Sequence, residues 1–270
     1  MNQQDHPYFL TPNSLHPHFP LFVFLPGMDG TGELIHTQTA TLDQCFDIRS
    51  LAIPQYNFSD WDELTRVVID LIVQEQINKP ESTTYLCGES FGGCLALKLL
   101  ERAPELFNRV ILVNPASSFR ERPFLAWGAV GTGWMPEPIY RASTALILPF
   151  LAAMGRIAAP DRRALLNAMK SVPPQTVRWR LSLLEQFKLD FDQLQEASVP
   201  VLLLAAGSDR LLPSVKEAQR LGNYFPNSQM VVLPDSGHTC LLEKDNRLCE
   251  ILQESNFLEQ RALDQLLTAS

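Results

Sequence analysis

The chain has 270 residues, of which 46% are hydrophobic and 19% charged, a composition typical of a globular protein and not of a disordered one. Its formal net charge of −8, with no basic cluster to offset it, argues against a nucleic acid partner. The five cysteines are irregularly spaced and include no CxxC pair, so the sequence predicts neither a disulfide framework nor a zinc site and favours a reducing compartment.

The N-terminal residues 1–18 are polar and interrupted by prolines, and they predict an irregular arm. They lack the basic segment and the following apolar segment of a secretory signal. Elsewhere no apolar run reaches the length of about 18 residues that a membrane-spanning helix requires. We therefore expect a cytoplasmic protein, with peripheral contact to a membrane as the closest association.

Strands and helices are predicted to alternate along most of the chain. Continuous apolar runs predict strands within residues 19–26, 46–54, 83–88, 109–115, 200–209 and 228–238. Helical patterns cover residues 59–77, 91–103, 214–221 and 244–258. The first of these helices has Ser59 as its candidate N-cap. This alternation predicts an α/β fold, with a mostly parallel central sheet and helices on both faces.

The alternation stops between residues 117 and 196, where no strong strand is found and a helical insertion is predicted. Two parts of it, residues 123–136 and 142–155, carry no charge. They are either ordinary buried helices or the apolar face of a lid that covers an apolar substrate. The location of the insertion between sheet strands favours the lid. The predicted organisation is thus a core of residues 19–116 and 197–270 with a helical cap of residues 117–196.

One serine lies where a predicted strand becomes a helix. Residues 88–92 read G-E-S-F-G, which fits G-x-S-x-G with Ser90 at its centre. Gly88 and Gly92 would let the strand and the helix pack closely around a strained turn, leaving the serine oxygen exposed beside the helix N-terminus. A glycine-rich turn without chemistry would have the same five residues. The strand before the motif and the helix after it favour a nucleophile.

A serine nucleophile requires a base, and His238 is the one histidine that follows Ser90 in the chain. It lies just after the last predicted strand, where a loop would project it toward the serine. Asp209, which follows another apolar strand by two small residues, is the first candidate for the carboxylate that orients the histidine. Asp235 is the fallback, and Asp192 lies in the insertion.

The loop after the first buried strand, residues 25–34, is rich in glycine, with Gly27, Gly30 and Gly32. Such a loop can turn a backbone N–H toward a reacting carbonyl, and an oxyanion requires two such donors. We predict that the N–H groups of Met28 and Phe91 form this oxyanion hole. The loop lacks the lysine of a phosphate-binding loop and the glycine spacing of a dinucleotide fingerprint, so no cofactor is predicted.

Metal binding is also not predicted. His16 and His18 have a weakly metal-like spacing, but together with His6 they lie in the polar arm and are interpreted as facing solvent.

The serine motif, Asp209 after an apolar strand and the SGH sequence that ends at His238 resemble the α/β-hydrolase superfamily, over about residues 19–258. The segments FLPGMDGTGEL and CGESFGG are similar to the esterase-like domain of the phytyl ester synthase and diacylglycerol acyltransferase-like family. The resemblance implies an α/β-hydrolase fold with a cap. Plant members of that family carry an additional acyltransferase domain. The present sequence is too short for one and has no H-x-x-x-x-D pattern, which favours hydrolysis over acyl transfer.

The leading functional hypothesis is a serine esterase or lipase-like hydrolase that acts on a small-molecule ester with an apolar part. The alternatives are acyl transfer to a long-chain alcohol such as phytol, thioester hydrolysis and, more distantly, cleavage of a carbon–carbon bond. A noncatalytic ligand-binding protein on the same fold is the alternative from another class. The sequence leaves the oligomeric state open.

Overall fold

A single seven-stranded sheet forms the centre of the molecule in the computed structural model, which describes residues 6–79, 82–121 and 147–269. The strands are β1 (Tyr8–Leu10), β2 (Leu21–Leu25), β3 (Asp47–Ala52), β4 (Thr84–Glu89), β5 (Arg109–Val113), β6 (Val201–Ala206) and β7 (Ser228–Leu233). Their order across the sheet is β1-β3-β2-β4-β5-β6-β7, and only β1 runs antiparallel to its neighbour. The mostly parallel sheet expected from the sequence is confirmed.

Helices cover both faces of this sheet. They are α1 (His36–Leu42), α2 (Trp61–Ile77), α3 (Phe91–Arg102), α4 (Ala159–Ser171), α5 (Pro174–Gln186), α6 (Phe191–Glu196), α7 (Ser214–Gly222), α8 (Leu248–Glu254) and α9 (Gln260–Ala269). Residues 147–151 are also helical. Helices α4, α5 and α6 lie between β5 and β6 and form the described part of the insertion.

The central strands are apolar at consecutive positions because they face two separate cores. Along β2, Val23 packs in a cluster with residues of α2, α3 and α7, whereas Phe24 packs in a second cluster with residues of α1 and α8. Every residue of β2 is buried. Burial of one large apolar side chain stabilises the fold by roughly 1.5–3 kcal/mol, so these strands anchor the loops at their ends.

The N-terminal arm is not irregular throughout. Residues 8–10 pair antiparallel with β3 and form the edge of the sheet, so the sequence interpretation was wrong for these residues. Tyr8 is exposed, and the strand has only three residues. A strand this short carries too few alternating positions to be distinguished from a coil by periodicity.

Two predicted helix ends also differ from the structure. The N-cap of α2 is Asp60, whose carboxylate accepts a hydrogen bond from the Glu63 N–H at 2.9 Å, and not Ser59. Both residue types cap helices well, so the sequence does not separate adjacent candidates. The single helix predicted over residues 244–258 is wrong, because α8 ends at Glu254 and Asn256 has a φ of 53°. A left-handed residue terminates a helix, and α9 begins afterwards.

The insertion is helical where it is described, as expected. The uncharged residues 123–136 lie outside the described residues, and residues 142–155 are described only from 147 onward. Ile147 and Phe150 in that part are exposed. None of the helices in the described ranges is both long and apolar enough to cross a membrane. The lid remains a prediction.

Candidate active site

Ser90 occupies a strained turn between β4 and α3. Its backbone has φ 55° and ψ −111°, a conformation that costs a residue other than glycine on the order of 1–3 kcal/mol. Hydrogen bonds hold it there. The Ser90 N–H donates to the Val113 carbonyl at 3.0 Å, and the Ser90 carbonyl accepts from the N–H groups of Gly93 and Ala116, both at 3.0 Å. The neighbouring strand β5 thus stabilises the turn from the side.

Glycines next to the serine allow the close packing that this turn requires. A Cβ atom at Gly88 would collide with the Gly92 carbonyl, and one at Gly92 would collide with the Leu25 carbonyl of β2. Gly27 differs from them. A Cβ at this position would lie 3.9 Å from the Ser90 Cβ, an ordinary contact. The structure therefore gives a steric reason for glycine at positions 88 and 92, while the supporting role of Gly27 stays a prediction.

Three side chains from distant parts of the chain form a line of hydrogen bonds. The His238 Nε2 lies 2.8 Å from the Ser90 Oγ, and the His238 Nδ1 lies 2.7 Å from the Asp209 Oδ2. The Asp209 Oδ1 accepts from the backbone N–H groups of Leu211 at 2.8 Å and Leu212 at 3.0 Å, which fix the carboxylate. Ser90, Asp209 and His238 follow β4, β6 and β7, so the parallel sheet brings them to one edge.

The loop after β2 lies beside this line. The Gly30 N–H donates to the Gly27 carbonyl at 3.0 Å and closes a tight turn with Met28 at its second position. Within the described residues, no hydrogen-bond acceptor takes the N–H of Met28 or that of Phe91. Unpaired N–H groups on this loop and at the start of α3 are the feature that an oxyanion hole requires.

Comparisons with known proteins place this geometry in a family. A hydrolase family model described as "Serine aminopeptidase, S33" matches residues 55–245. Phytyl ester synthase 1, chloroplastic, of Arabidopsis thaliana is 31% identical over 87% of this chain and 36% of its own length. The chain belongs to the α/β-hydrolase superfamily. The expected resemblance is confirmed.

Other similarities to this α/β-hydrolase are weaker. A pimeloyl-[acyl-carrier protein] methyl ester esterase of Nitrosomonas europaea is 26% identical over 75% of this chain and 82% of its own length. The solved structure of MenH from S. aureus has a TM-score of 0.75 at 18% identity, covers 93% of this chain and 99% of its own, and shows the shared fold. The chain spans just over a third of the length of the two phytyl ester synthases that it matches, 36% and 37%.

The histidine loop of the α/β-hydrolase is held by two buried residues that sequence reasoning missed. Asn114, fully buried with a φ of 43°, donates from Nδ2 to the His238 carbonyl at 2.7 Å and accepts from the Ala206 N–H at 2.8 Å. Glu243 accepts from the Gly237 N–H at 2.8 Å. An asparagine directly after an apolar strand was a signal for Asn114, because asparagine tolerates left-handed backbone. Glu243 had no such signal.

The ionisation of the site follows from burial and from opposite charges. Burial alone would raise the pKa of Asp209, but attraction to His238 and hydrogen bonds from His238 and Ser214 together lower it. Burial alone would lower the pKa of His238, but Asp209 and, at longer range, Glu89 raise it. Burial raises the pKa of Glu89 to about 7, against the attraction of His238. The site therefore stabilises the ionised form of Asp209 and makes His238 more basic than burial alone would.

The alternative candidates do not join this arrangement. Asp235 is exposed in the turn after β7, and Asp192 is exposed on α6. In the arm, His6 and His18 are exposed, but His16 is only partly so, because its Nε2 contacts Asp43 at 3.1 Å. A group of three metal-binding side chains is not found within residues 6–79, 82–121 and 147–269.

Proposed function

We propose that this α/β-hydrolase is a serine esterase, which cleaves carboxylic esters with an apolar acyl or alcohol part through an acyl-enzyme intermediate. The observation that carries the proposal is the line of hydrogen bonds from Ser90 through His238 to Asp209, at 2.8 Å and 2.7 Å. This is the arrangement in which a histidine activates a serine and a carboxylate orients the histidine.

In the first half of the reaction, the Ser90 Oγ attacks the ester carbonyl while the His238 Nε2 takes its proton. Asp209 stabilises the imidazolium that forms. The carbonyl oxygen becomes an oxyanion, and the N–H groups of Met28 and Phe91 donate to it. Collapse of the tetrahedral intermediate breaks the ester bond, and His238 returns the proton to the leaving alcohol. Ser90 is then acylated.

In the second half, water takes the place of the alcohol. His238 removes a proton from the water, which attacks the acyl carbon and forms a second tetrahedral intermediate at the same donors. Its collapse releases the carboxylic acid and returns the proton to the Ser90 Oγ. Ser90 is only partly buried, so an ester can approach its oxygen, whereas His238 is 3% exposed and shielded from water.

An apolar substrate is favoured by two observations. The insertion exposes Ile147 and Phe150, both apolar, and residues 123–136 of the same insertion carry no charge in the sequence. The names of the relatives also refer to esters, phytyl ester synthases on one side and pimeloyl-[acyl-carrier protein] methyl ester esterases on the other. Peripheral contact of these apolar residues with a membrane belongs to the same proposal.

The second candidate is acyl transfer to a long-chain alcohol, and the similarity to phytyl ester synthase 1 favours it. The same acyl-enzyme serves both reactions, since only the group that attacks it differs. In transfer, His238 would activate the hydroxyl group of the alcohol in place of water. The acceptor therefore decides between the two, and both require Ser90.

The test is hydrolysis of p-nitrophenyl esters of increasing acyl length by the wild-type protein, by Ser90→Ala and by the control Ser208→Ala. Ser208 is an exposed serine beside Asp209 in the chain. We expect Ser90→Ala to lower kcat by at least about 10⁴-fold without loss of thermal stability, and Ser208→Ala to match the wild type. Ester turnover that survives Ser90→Ala would remove the serine from the mechanism.

Two further measurements complete the test. A fluorophosphonate probe, followed by peptide mapping, should label residue 90 in the wild type and in Ser208→Ala. Addition of phytol to the ester assay, with mass spectrometry of the products, compares hydrolysis with transfer. Free acid as the main product supports the esterase, and a dominant phytyl ester would support the transferase instead.

A further inference from the structure

Arg180 of α5 reaches from the insertion to the loop that holds Met28. Its side chain is 2% exposed, and its guanidinium donates to three backbone carbonyls. One Nη donates to Met28 at 2.7 Å, and the other to Ile53 at 3.2 Å and Pro54 at 3.3 Å. A residue of the insertion thus binds the loop after β2 and the end of β3 together.

A buried arginine is costly unless its charge is stabilised. Burial lowers the pKa of the Arg180 guanidinium to about 10, against the attraction of Asp29, so the group stays charged at neutral pH. A well-packed apolar side chain in such a place is often as stable or more stable. What the guanidinium adds is a planar set of donors with fixed directions, which an apolar residue lacks. We therefore look for its role in the orientation of the groups that it binds.

The Met28 carbonyl belongs to the central peptide of the turn, which is the peptide that can flip between two orientations. In the turn of residues 27–30, the peptide between Met28 and Asp29 is reversed between type I and type II geometry. Type II requires a positive φ at the third position, and Asp29 is not among the residues with positive φ. Arg180 binds the carbonyl of this central peptide and so selects one of the two orientations.

The Arg180 guanidinium lies against Gly30, where a larger residue would not fit. Gly30 has a φ of 66°, and a Cβ there would lie 2.5 Å from the Arg180 Nη1. The Gly30 carbonyl accepts from the Ile53 N–H at 2.7 Å, so the end of the turn is bound to the same segment after β3 that Arg180 binds. The turn is held from both sides.

On the basis of the function proposed above, we propose that Arg180 is a positioning residue for the oxyanion hole. It holds the Met28 carbonyl, and the hydrogen bond from the Gly30 N–H to the Gly27 carbonyl closes the turn around the same residue. Together the two contacts fix the backbone of Met28 and thereby the place from which its N–H donates to the reacting carbonyl. Arg180 does not touch the substrate in this proposal. It acts by anchoring Met28 through its carbonyl, and it makes the insertion a part of the catalytic geometry.

The test compares Arg180→Met and Arg180→Lys with the wild type and with Arg163→Met. Arg163 is an exposed arginine on the neighbouring helix α4 and controls for loss of a positive charge from the insertion. Thermal melting first checks that each variant is folded. Steady-state ester hydrolysis then gives kcat and KM, and amide hydrogen exchange of the peptide covering residues 25–34 reports the order of the loop without any need for activity.

We expect Arg180→Met to lower kcat by about 10- to 100-fold, part of the effect of removing one oxyanion donor, with KM changed less than about threefold. Its affinity for a trifluoromethyl ketone, which forms a tetrahedral adduct with the serine, should fall in parallel. Exchange in residues 25–34 should be faster. Arg180→Lys keeps one cationic donor for the Met28 carbonyl and should recover part of kcat, while Arg163→Met should match the wild type.

The outcomes separate this proposal from the proposed function. If Ser90→Ala abolishes turnover but Arg180→Met keeps the wild-type kcat, the esterase stands and the positioning role is overturned. Unchanged exchange in residues 25–34 of a folded Arg180→Met would also overturn it. Turnover that survives Ser90→Ala would remove the esterase and, with it, the catalytic consequence. The exchange measurement would then still decide whether Arg180 orders the turn.

Discussion

The groups proposed to perform the chemistry and the contacts that hold the loops around them come from different regions of the molecule. Ser90, Asp209 and His238 follow strands of the sheet, whereas Arg156 and Arg180 reach the site from the insertion between β5 and β6. The sheet fixes the reacting atoms through its backbone topology, but the insertion acts largely through individual side chains. Substitutions in the two regions should therefore have different effects on activity and stability.

The two sides of the insertion also differ from each other. Beside the histidine loop, part of the contact is between backbone groups: the Thr239 N–H donates to the Leu151 carbonyl at 2.9 Å, and the Lys244 N–H donates to the Arg156 carbonyl at 3.0 Å. These bonds are made in addition to the one from the Arg156 side chain to Glu243. Beside the loop after β2, the contacts come from the Arg180 side chain. One substitution can remove a side-chain contact, but it leaves backbone contacts in place.

The sheet region should give the largest loss of activity with the fold intact. In Asp209→Asn, the amide has one acceptor oxygen and cannot serve both the Oδ2 donors, His238 and Ser214, and the two backbone N–H groups at Oδ1. When its NH₂ group faces His238, the histidine loses the tautomer that the reaction needs. We expect kcat to fall by about 10⁴-fold, with little change in KM. Asp235→Asn removes an exposed carboxylate from the same part of the chain and should keep the wild-type kcat. Equal losses in the two variants would contradict the assignment of Asp209.

The histidine side of the insertion should give an intermediate effect on both activity and stability. Glu243 accepts from the Gly237 N–H at 2.8 Å, from the Arg156 Nε at 2.6 Å and from the Asn246 Nδ2 at 3.2 Å. The amide of Glu243→Gln has one acceptor oxygen, so at least one buried donor loses its partner. The free energy of unfolding should fall by about 1–3 kcal/mol in chemical denaturation.

The same substitution should lower kcat by about tenfold, because a misplacement of His238 by a fraction of an ångström weakens proton transfer. Asp245→Asn is the matched control, since Asp245 contacts the same Arg156 at 3.5 Å but its side chain is 71% exposed. A surface pair of this kind contributes less than about 1 kcal/mol. If Asp245→Asn destabilises the protein as much as Glu243→Gln does, the charge of Arg156 matters more than the buried contacts.

The contrast between the regions also explains what the sequence could predict. Each of Ser90, Asp209 and His238 lies within about five residues of the end of a strand, and parallel strands place their carboxyl ends at one edge of the sheet. Local pattern together with this topology was therefore sufficient to bring the three residues together. The central strands were predictable for the same reason, because burial on both faces leaves a continuous apolar sequence.

Arg180 and Glu243 could not be found in this way. Arg180 contacts the Met28 carbonyl across 152 positions of the chain, and its own helix pattern resembles that of a surface arginine. Glu243 follows a short 3₁₀ turn and lies just before residues 244–258, which the sequence indicated to be one long helix. Contacts of this kind depend on how the insertion packs, and no periodicity in the sequence encodes the direction of a single buried charge.

The smallest expected effect in the sheet region comes from Glu89. This residue lies on the sheet beside the site but makes no hydrogen bond to any of the reacting atoms. It is 9% exposed, and its Oε1 has no hydrogen-bond partner among the described residues. The negative charge of Glu89 raises the pKa of His238, and the negative charge of Asp209 raises it as well. We therefore expect Glu89 to affect the pKa of His238 but not the position of its side chain.

The pH dependence of kcat/KM should show this in Glu89→Gln. In the proposed mechanism neutral His238 is the base, so kcat/KM should rise as the pH passes the pKa of His238. Removal of the negative charge lowers that pKa, and the acid limb should move to lower pH. The wild-type limb should also reflect the pKa of Glu89, about 7, and should become a simpler single ionisation in the variant.

At pH 8 the loss in kcat should stay below about tenfold, because the imidazolium formed during the reaction loses only one longer-range attraction. Asp235→Asn, which removes an exposed carboxylate near His238 in the chain, should leave the acid limb where it is. A limb that stays fixed in Glu89→Gln but moves in Asp235→Asn would mean that surface charge sets the ionisation of His238. In that case the buried site on the sheet would not be shielded from surface charges, although its hydrogen-bond geometry could still depend on the sheet alone.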